Sequence, residues 1–154
     1  METAAEIQLV VFDLAGERFG TEIERVHEII RLQEVTQVPR APEFVEGVIN
    51  LRGRIVPVVN LRRRFGFPEA AASRAGRIVV VDVEGSTIGM VVDAVAEVAR
   101  VHRTSIEPPA PIVSTMNNEF VRGVCKRPDD LIVLLDLERV LGERSRQQVA
   151  ELAA

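Results

Sequence analysis

Few residues in this chain have the types and spacing that chemistry requires. The two histidines, His27 and His102, fall in regions that mirror one another. Neither is joined by an HExxH, a CxxC or a glycine-rich phosphate loop, so a surface or half-buried imidazole is expected at each. Cys125 lies inside an apolar run, where a small buried cysteine is the usual outcome. Asp82 and Asp93 could be drawn as an acid pair, but their counterparts Asp13 and Glu24 point to turn and surface roles. No catalytic, metal-binding or cofactor-binding residue is assigned, and the expectation is a non-enzyme without a cofactor.

Positive charge is more suggestive. Arg52, Arg54, Arg62, Arg63 and Arg64 form a basic cluster with no acid between them. A solvated helix face is the plain account, and a docking face for an acidic protein surface is the sharper one. Arg52 stands apart beside Gly53, which permits close backbone approach, and arginine anchors interfaces more often than other charged residues. Nucleic acid is a poor candidate partner. The net charge is −4, and Trp and Tyr, the usual stacking residues, are absent.

The elements that would carry these residues are centred on Glu43–Gly66, EFVEGVINLRGRIVPVVNLRRRFG. Two apolar runs, Val45–Leu51 and Ile55–Leu61, flank Arg52-Gly53-Arg54 and read as a β-hairpin. Asn60 can cap a short helix over Leu61–Phe65, which Gly66 can stop in the left-handed conformation. The unit recurs 76 residues later as Glu119–Gly142, EFVRGVCKRPDDLIVLLDLERVLG, with Asp136 and Gly142 in place of Asn60 and Gly66. The tips differ: Asn50-Leu51-Arg52-Gly53 in one, Lys126-Arg127-Pro128-Asp129 in the other.

An earlier unit also recurs. Gln8–Leu14 is a strand, Ala15-Gly16 turns it, and Glu17–Ile23 returns. The stretch Ile23–Ile30 suits a helix, or equally a turn at Ile23–Arg25 followed by a strand Val26–Ile30. Asp13, Gly16, Gly20, Val26 and Glu28 match Asp82, Gly85, Gly89, Val95 and Glu97, 69 residues on. The chain is thus a tandem duplication, with pseudo-repeats at about 7–66 and 77–142. Phe67–Arg77 links them, and a C-terminal helix is expected over about 137–152. Each copy offers about five short strands, which hide their edges best as a barrel. No connector holds the long helix that a βαβ fold needs. Two linked small barrels sharing a core seam are expected, with Phe44 and Phe120 buried, one in each. Length 154 and 47% apolar residues suit one domain. One cysteine, no apolar run long enough for a span and no signal-like N-terminus predict a cytoplasmic protein.

The stretch VTQVPRAPEFVEGVINLRGRIVPVVNLRRRFG, with IGMVVDAVAEV and the Glu119–Gly123 repeat, resembles the CheW-like domains of bacterial chemotaxis. The likeness covers Ile7–Leu141, one CheW-like domain over 1–154. It implies a mainly β fold of two five-stranded SH3-like barrels. It also implies a cytoplasmic adaptor that ties the cytoplasmic tip of a chemoreceptor to the CheA histidine kinase, associated with membrane receptor arrays but not inserted in the membrane. On that likeness the receptor is expected in the groove between the barrels, at Val26, Glu28, Gly47, Arg52, Gly53 and Val98. Kinase contacts are expected at barrel ends, with Ile106, Glu107 and Ile112 as candidates; Glu107 stands where some relatives carry a basic residue. An isolated monomer that joins ring-like arrays in the cell is implied. Arg52 and Glu28, 24 residues apart, are expected to pair so that the carboxylate orients the guanidinium. Other readings are an adaptor of a pilus or developmental pathway, or a small-ligand-binding β-barrel.

Overall fold

The protein is described by a computed structural model that covers residues 5–71, 73–108 and 118–142. In chain order the strands are β1 (Glu6–Leu14), β2 (Glu17–Glu22), β3 (Val26–Arg31), β4 (Val45–Leu51) and β5 (Arg54–Asn60). Helix α1 (Leu61–Phe65) follows. The second copy supplies β6 (Arg77–Val83), β7 (Ser86–Val92), β8 (Ala94–His102), β9 (Ile106–Glu107), β10 (Val121–Lys126), β11 (Leu131–Leu135) and α2 (Leu137–Leu141). The ambiguity after β2 resolves as a 3-10 turn at Ile23–Arg25 and then a strand. Residues 143–152 of the expected terminal helix lie outside the described residues.

Local chemistry explains the hairpins. Ala15-Gly16, Arg52-Gly53 and Glu84-Gly85 all have positive φ at both positions, the requirement of the two-residue turn whose twist matches a hairpin. Asn60 and Asp136 cap α1 and α2, accepting from the backbone N–H of Arg63 at 3.0 Å and of Arg139 at 3.2 Å. Gly66 ends α1 in the left-handed region, at φ 79° and ψ 19°. Gly142 departs from this, at φ 75° and ψ 153°.

Two sheets result, both nearly closed into barrels. One has the order β3-β6-β7-β5-β4 and the other β8-β1-β2-β11-β10-β9. Chain continuing past β3 closes the first, where Thr36 and Val48 exchange backbone hydrogen bonds of 2.9 and 2.8 Å. The second closes in the same way, because β9 continues β8 after one 3-10 turn. Each barrel is therefore five strands, one of them bent to serve both edges.

The copies do not each close a barrel of their own. The first hairpin of one copy sits beside the second hairpin of the other. Strand β2 runs parallel to β11, with Gly20 opposite Leu134, and β5 runs parallel to β7, with Val58 opposite Gly89. These pairs correspond through the repeat, so the exchange is reciprocal. Period-two burial then feeds two interiors. Ile78 and Val80 point into the first barrel and Leu9 and Val11 into the second. Val79, Val81 and Phe12 face a joint core between the barrels.

Phe44 and Phe120 are both buried, but both belong to that joint core and not to separate barrels. The Arg64 guanidinium lies 4.9 Å from the Phe44 ring centre and 4.7 Å from that of Phe120, a cation held between two aromatic faces. Its Nε donates to the Val140 carbonyl near the end of α2.

Candidate functional site

The first hairpin tip is built by its own backbone. Asn50 Oδ1 accepts a hydrogen bond of 2.8 Å from the Gly53 N–H, clamping a turn in which Arg52 has φ 51° and Gly53 has φ 87°. Arg52 is thereby thrust outward, with 71% of its side chain exposed. Its Nη2 donates to Glu28 Oε2. Glu28 is on β3 opposite Val80, just past a bulge between Val26 and Glu28; a bulge re-aims side chains. That charged hydrogen bond raises the guanidinium pKa above its ordinary value. Among the described residues, no protein acceptor meets the other guanidinium nitrogens of Arg52.

The remaining expected contact residues differ in what they do. Gly47 lies in β4 at φ 151°, and a Cβ there would enter the Thr36 carbonyl and come within 2.8 Å of Val35 Cγ1. Gly47 thus lets the closing strand cross. Val26 is half-buried against the joint core. Val98 is 50% exposed on β8, opposite Val10 in the other sheet, and is not bonded to the Arg52–Glu28 pair. Ile106 is half-buried against the interior of the second barrel. Glu107 is exposed, with Lys126 Nζ at 3.5 Å. Ile112 lies outside the described residues.

Only part of the basic cluster turns inward: Arg62 and Arg64 do, while Arg63 stays on the exposed face of the helix and Arg52 and Arg54 stay exposed on the hairpin. Arg62 grips Asp93 through Nε at 3.2 Å and Nη2 at 2.6 Å, and Asp93 also accepts from the Ala15 N–H at 2.9 Å. Arg63 Nε donates to Glu69 at 2.8 Å, a bond that raises its pKa. Arg64 is the cation between the two rings, and burial lowers its pKa. Arg54 reaches Thr87 Oγ1 at 3.2 Å. Apart from Glu69, six positions from Arg63, the acceptors are far away in sequence, so the run of like charge concealed them.

Three residues were given no role by the sequence reading. Asn50 clamps the turn, and the spacing N-x-x-G was its signal, a short amide bonding the backbone a few residues on. Ile29 and Ile55 are exposed large apolar side chains at 39% and 41%. Ile29 is the repeat mate of Val98 and could have been found by the same offset.

Cys125 is buried and its thiol pKa is raised by burial. His102 Nε2 lies 3.7 Å from Glu6, and His27 is exposed. Among the described residues no group of three His, Cys, Asp or Glu is placed to hold a metal ion. A hollow of about 380 Å³ beside α2 is lined by Glu22, Arg25, Arg122 and Glu138. Those charges face one another, Arg25 with Glu138 at 2.5 Å and Arg122 with Glu22 at 2.8 Å, leaving no converging polar set for a ligand. Among the described residues, no helix is long and apolar enough to cross a membrane.

Comparison with known proteins adds four findings. The family model for the CheW-like domain matches residues 8–145. Chemotaxis protein CheW of Treponema pallidum (strain Nichols) is 32% identical over 151 residues, covering 96% of this chain and 89% of that protein. Its counterpart in Rhizobium meliloti (strain 1021) is 33% identical over 140 residues, covering 91% and 90%. The crystal structure of the scaffolding protein TtCheW from Thermoanaerobacter tengcongensis matches with a TM-score of 0.83 and 41% identity over 90% of each chain.

Proposed function

The chain belongs to the CheW-like family, and from that premise we propose that it is a non-enzymatic chemotaxis adaptor joining the cytoplasmic tip of a chemoreceptor to a CheA-type histidine kinase. The observation that carries the reading is the first hairpin tip. A fully charged, outward arginine is fixed by one carboxylate, with donors left over for a partner. Such a group suits the polar rim of a protein interface better than a reaction. In this reading Val26 and Glu28 on β3, Gly47 and Gly53 on the hairpin and Val98 on the other barrel are the further receptor-contact residues.

In this reading the kinase docks at the β9 end of the second barrel. Glu107 and its partner Lys126 supply the polar contact there and Ile106 supports it, with Ile112 as a further candidate contact residue. The adaptor acts at the cytoplasmic side of receptor arrays, as a monomer until it joins their rings.

The test is a reconstitution from purified parts: this chain, a receptor cytoplasmic fragment and a CheA-type kinase. Each partner should be retained alone and both together, and stimulation of the kinase should need all three. Retention of neither partner, or ATP turnover by the isolated chain, would overturn the reading.

A further inference from the structure

Apart from one segment, the two copies are joined only by non-covalent contacts. Within each copy the strands pair as separate hairpins, β1 with β2 and β4 with β5, then β6 with β7 and β10 with β11. The sheets become continuous only through pairings between copies: β1 with β8, β2 with β11, β3 with β6 and β5 with β7. The polar contacts follow suit, with Arg18 to Asp130 at 3.2 Å, Arg62 to Asp93 at 2.6 Å and Arg122 to Glu22 at 2.8 Å. Arg64, from the first copy, closes on Val140 of the second. Residues 6–66 and 77–142 are thus the halves of an internal complex. They are tied by residues 67–76, of which Pro68, Glu69, Ala70, Ala71, Ser73, Arg74 and Ala75 are exposed.

We propose that a second copy of this chain is a partner by exchange of halves. Residues 6–66 of one chain fold against residues 77–142 of the other, and reciprocally, in a closed two-fold dimer. Every contact between halves is kept, and only the path of residues 67–76 changes. Ten residues reach at most about 33–36 Å, which allows two globules side by side. The balance is set by the effective concentration of the tethered halves, on the order of millimolar for a short linker. Monomer therefore dominates at micromolar concentration, and exchange emerges where copies are crowded. Resting on the adaptor reading above, the exchanged dimer presents two Arg52–Glu28 tips and so ties two receptors.

The experiment uses the full chain carrying Gln8→Cys and Arg100→Cys, exposed positions directly opposite one another across β1 and β8, a geometry within disulfide reach. Cys125 stays out of the reaction because it is buried and its thiol pKa is raised. The reduced protein is unfolded and refolded at about 10 µM and at about 1 mM, spanning the expected effective concentration, then oxidised. Its mass is read by light scattering, and its covalent state on a non-reducing gel. Micromolar refolding should give monomers with an internal disulfide. Millimolar refolding should raise the dimer share roughly tenfold or more, with the chains of each dimer covalently joined. Absence of dimer at the higher concentration, or dimers whose chains separate on the gel, would overturn the proposal. Neither readout involves a receptor, so failure of the adaptor reading would not move it.

Discussion

At the first hairpin tip a two-residue turn holds Arg52 against Glu28; at the second, a longer loop holds Arg127 against Glu97, the repeat mate of Glu28, at 3.0 Å. The glutamate belongs to the duplicated framework, whereas its arginine partner does not, since Pro128 matches Arg52 and Arg127 matches Leu51. Saturation is where the copies part. Asp130 takes Arg127 Nε at 2.7 Å and Nη2 at 2.6 Å, and Arg18 adds a second cation to Asp130 at 3.2 Å. The Arg127 side chain is 23% exposed and that of Arg52 is 71%. One copy has turned the pair into an internal brace, and the other leaves it facing outward. An arginine advertises a docking role only when its fork is unfilled.

The largest test of how far the copies differ lies beneath the tips. Phe44→Ala and Phe120→Ala should each cost about 3–5 kcal/mol, and each should still melt in one transition, because both rings belong to one core. Two separate transitions by calorimetry would show that the copies fold independently.

Gly47 and Gly123 occupy matching places but should respond unequally. An alanine Cβ at Gly47 meets the Thr36 backbone at positive φ, whereas at Gly123 it first meets the Ile106 Cγ2 side-chain atom at 2.6 Å. Chemical denaturation should find Gly47→Ala costing about 3 kcal/mol and Gly123→Ala about 1 kcal/mol. Equal losses would break the asymmetry.

The brace at the second tip should be visible in acid. The hydrogen bonds from Arg127 hold the Asp130 carboxyl below its ordinary pKa. A depressed carboxyl stabilises the fold above the unfolded value of about 3.9, and loses that contribution as pH falls through the folded value. Asp130→Asn should therefore cost about 1 kcal/mol at neutral pH and flatten the loss of stability below about pH 4. An unchanged acid limb would remove Asp130 from the brace.

The smallest effect on folding belongs to Arg52. Arg52→Ala should leave the melting temperature unchanged while weakening receptor binding roughly ten- to a hundredfold, with kinase binding preserved. Arg127→Ala should do the reverse, lowering the melting temperature and sparing the receptor. Equal loss of both partners on Arg52→Ala, or a lowered melting temperature, would make the first tip structural too.

What could be read in the sequence was local. The hairpins, the caps at Asn60 and Asp136, the turn at Arg52-Gly53 and the repeat each depend on residues close in the chain. The Arg52–Glu28 contact was reachable because few registers join a strand to a tip in a small barrel. The exchange of hairpins was not. Alternation at Ile78–Val81 shows two buried faces without naming what each packs against. Asp93 and the Val140 carbonyl, which absorb Arg62 and Arg64, likewise gave no local signal. The role of Asn60 beyond capping also became clear only in three dimensions. Its Nδ2 donates to Glu46 Oε1 at 2.6 Å, a bond a carboxylate could not make. In the second copy Arg122 replaces Glu46, and Asp136 is accommodated.

The parallel junction of β2 with β11 also sets a timetable for biosynthesis. Residues that meet there, such as Arg18 and Asp130, are 112 positions apart. At the ribosome's pace of about 5–20 residues per second, the first hairpin waits several seconds for its neighbour, with one edge unpaired and its apolar face uncovered. Nascent chains stalled before Leu131 emerges should be cut readily by protease, while released chains should resist. The duplication thus makes a fold that cannot begin to be stable until its second copy has been translated, and its early strands are natural clients for whatever shields nascent chains.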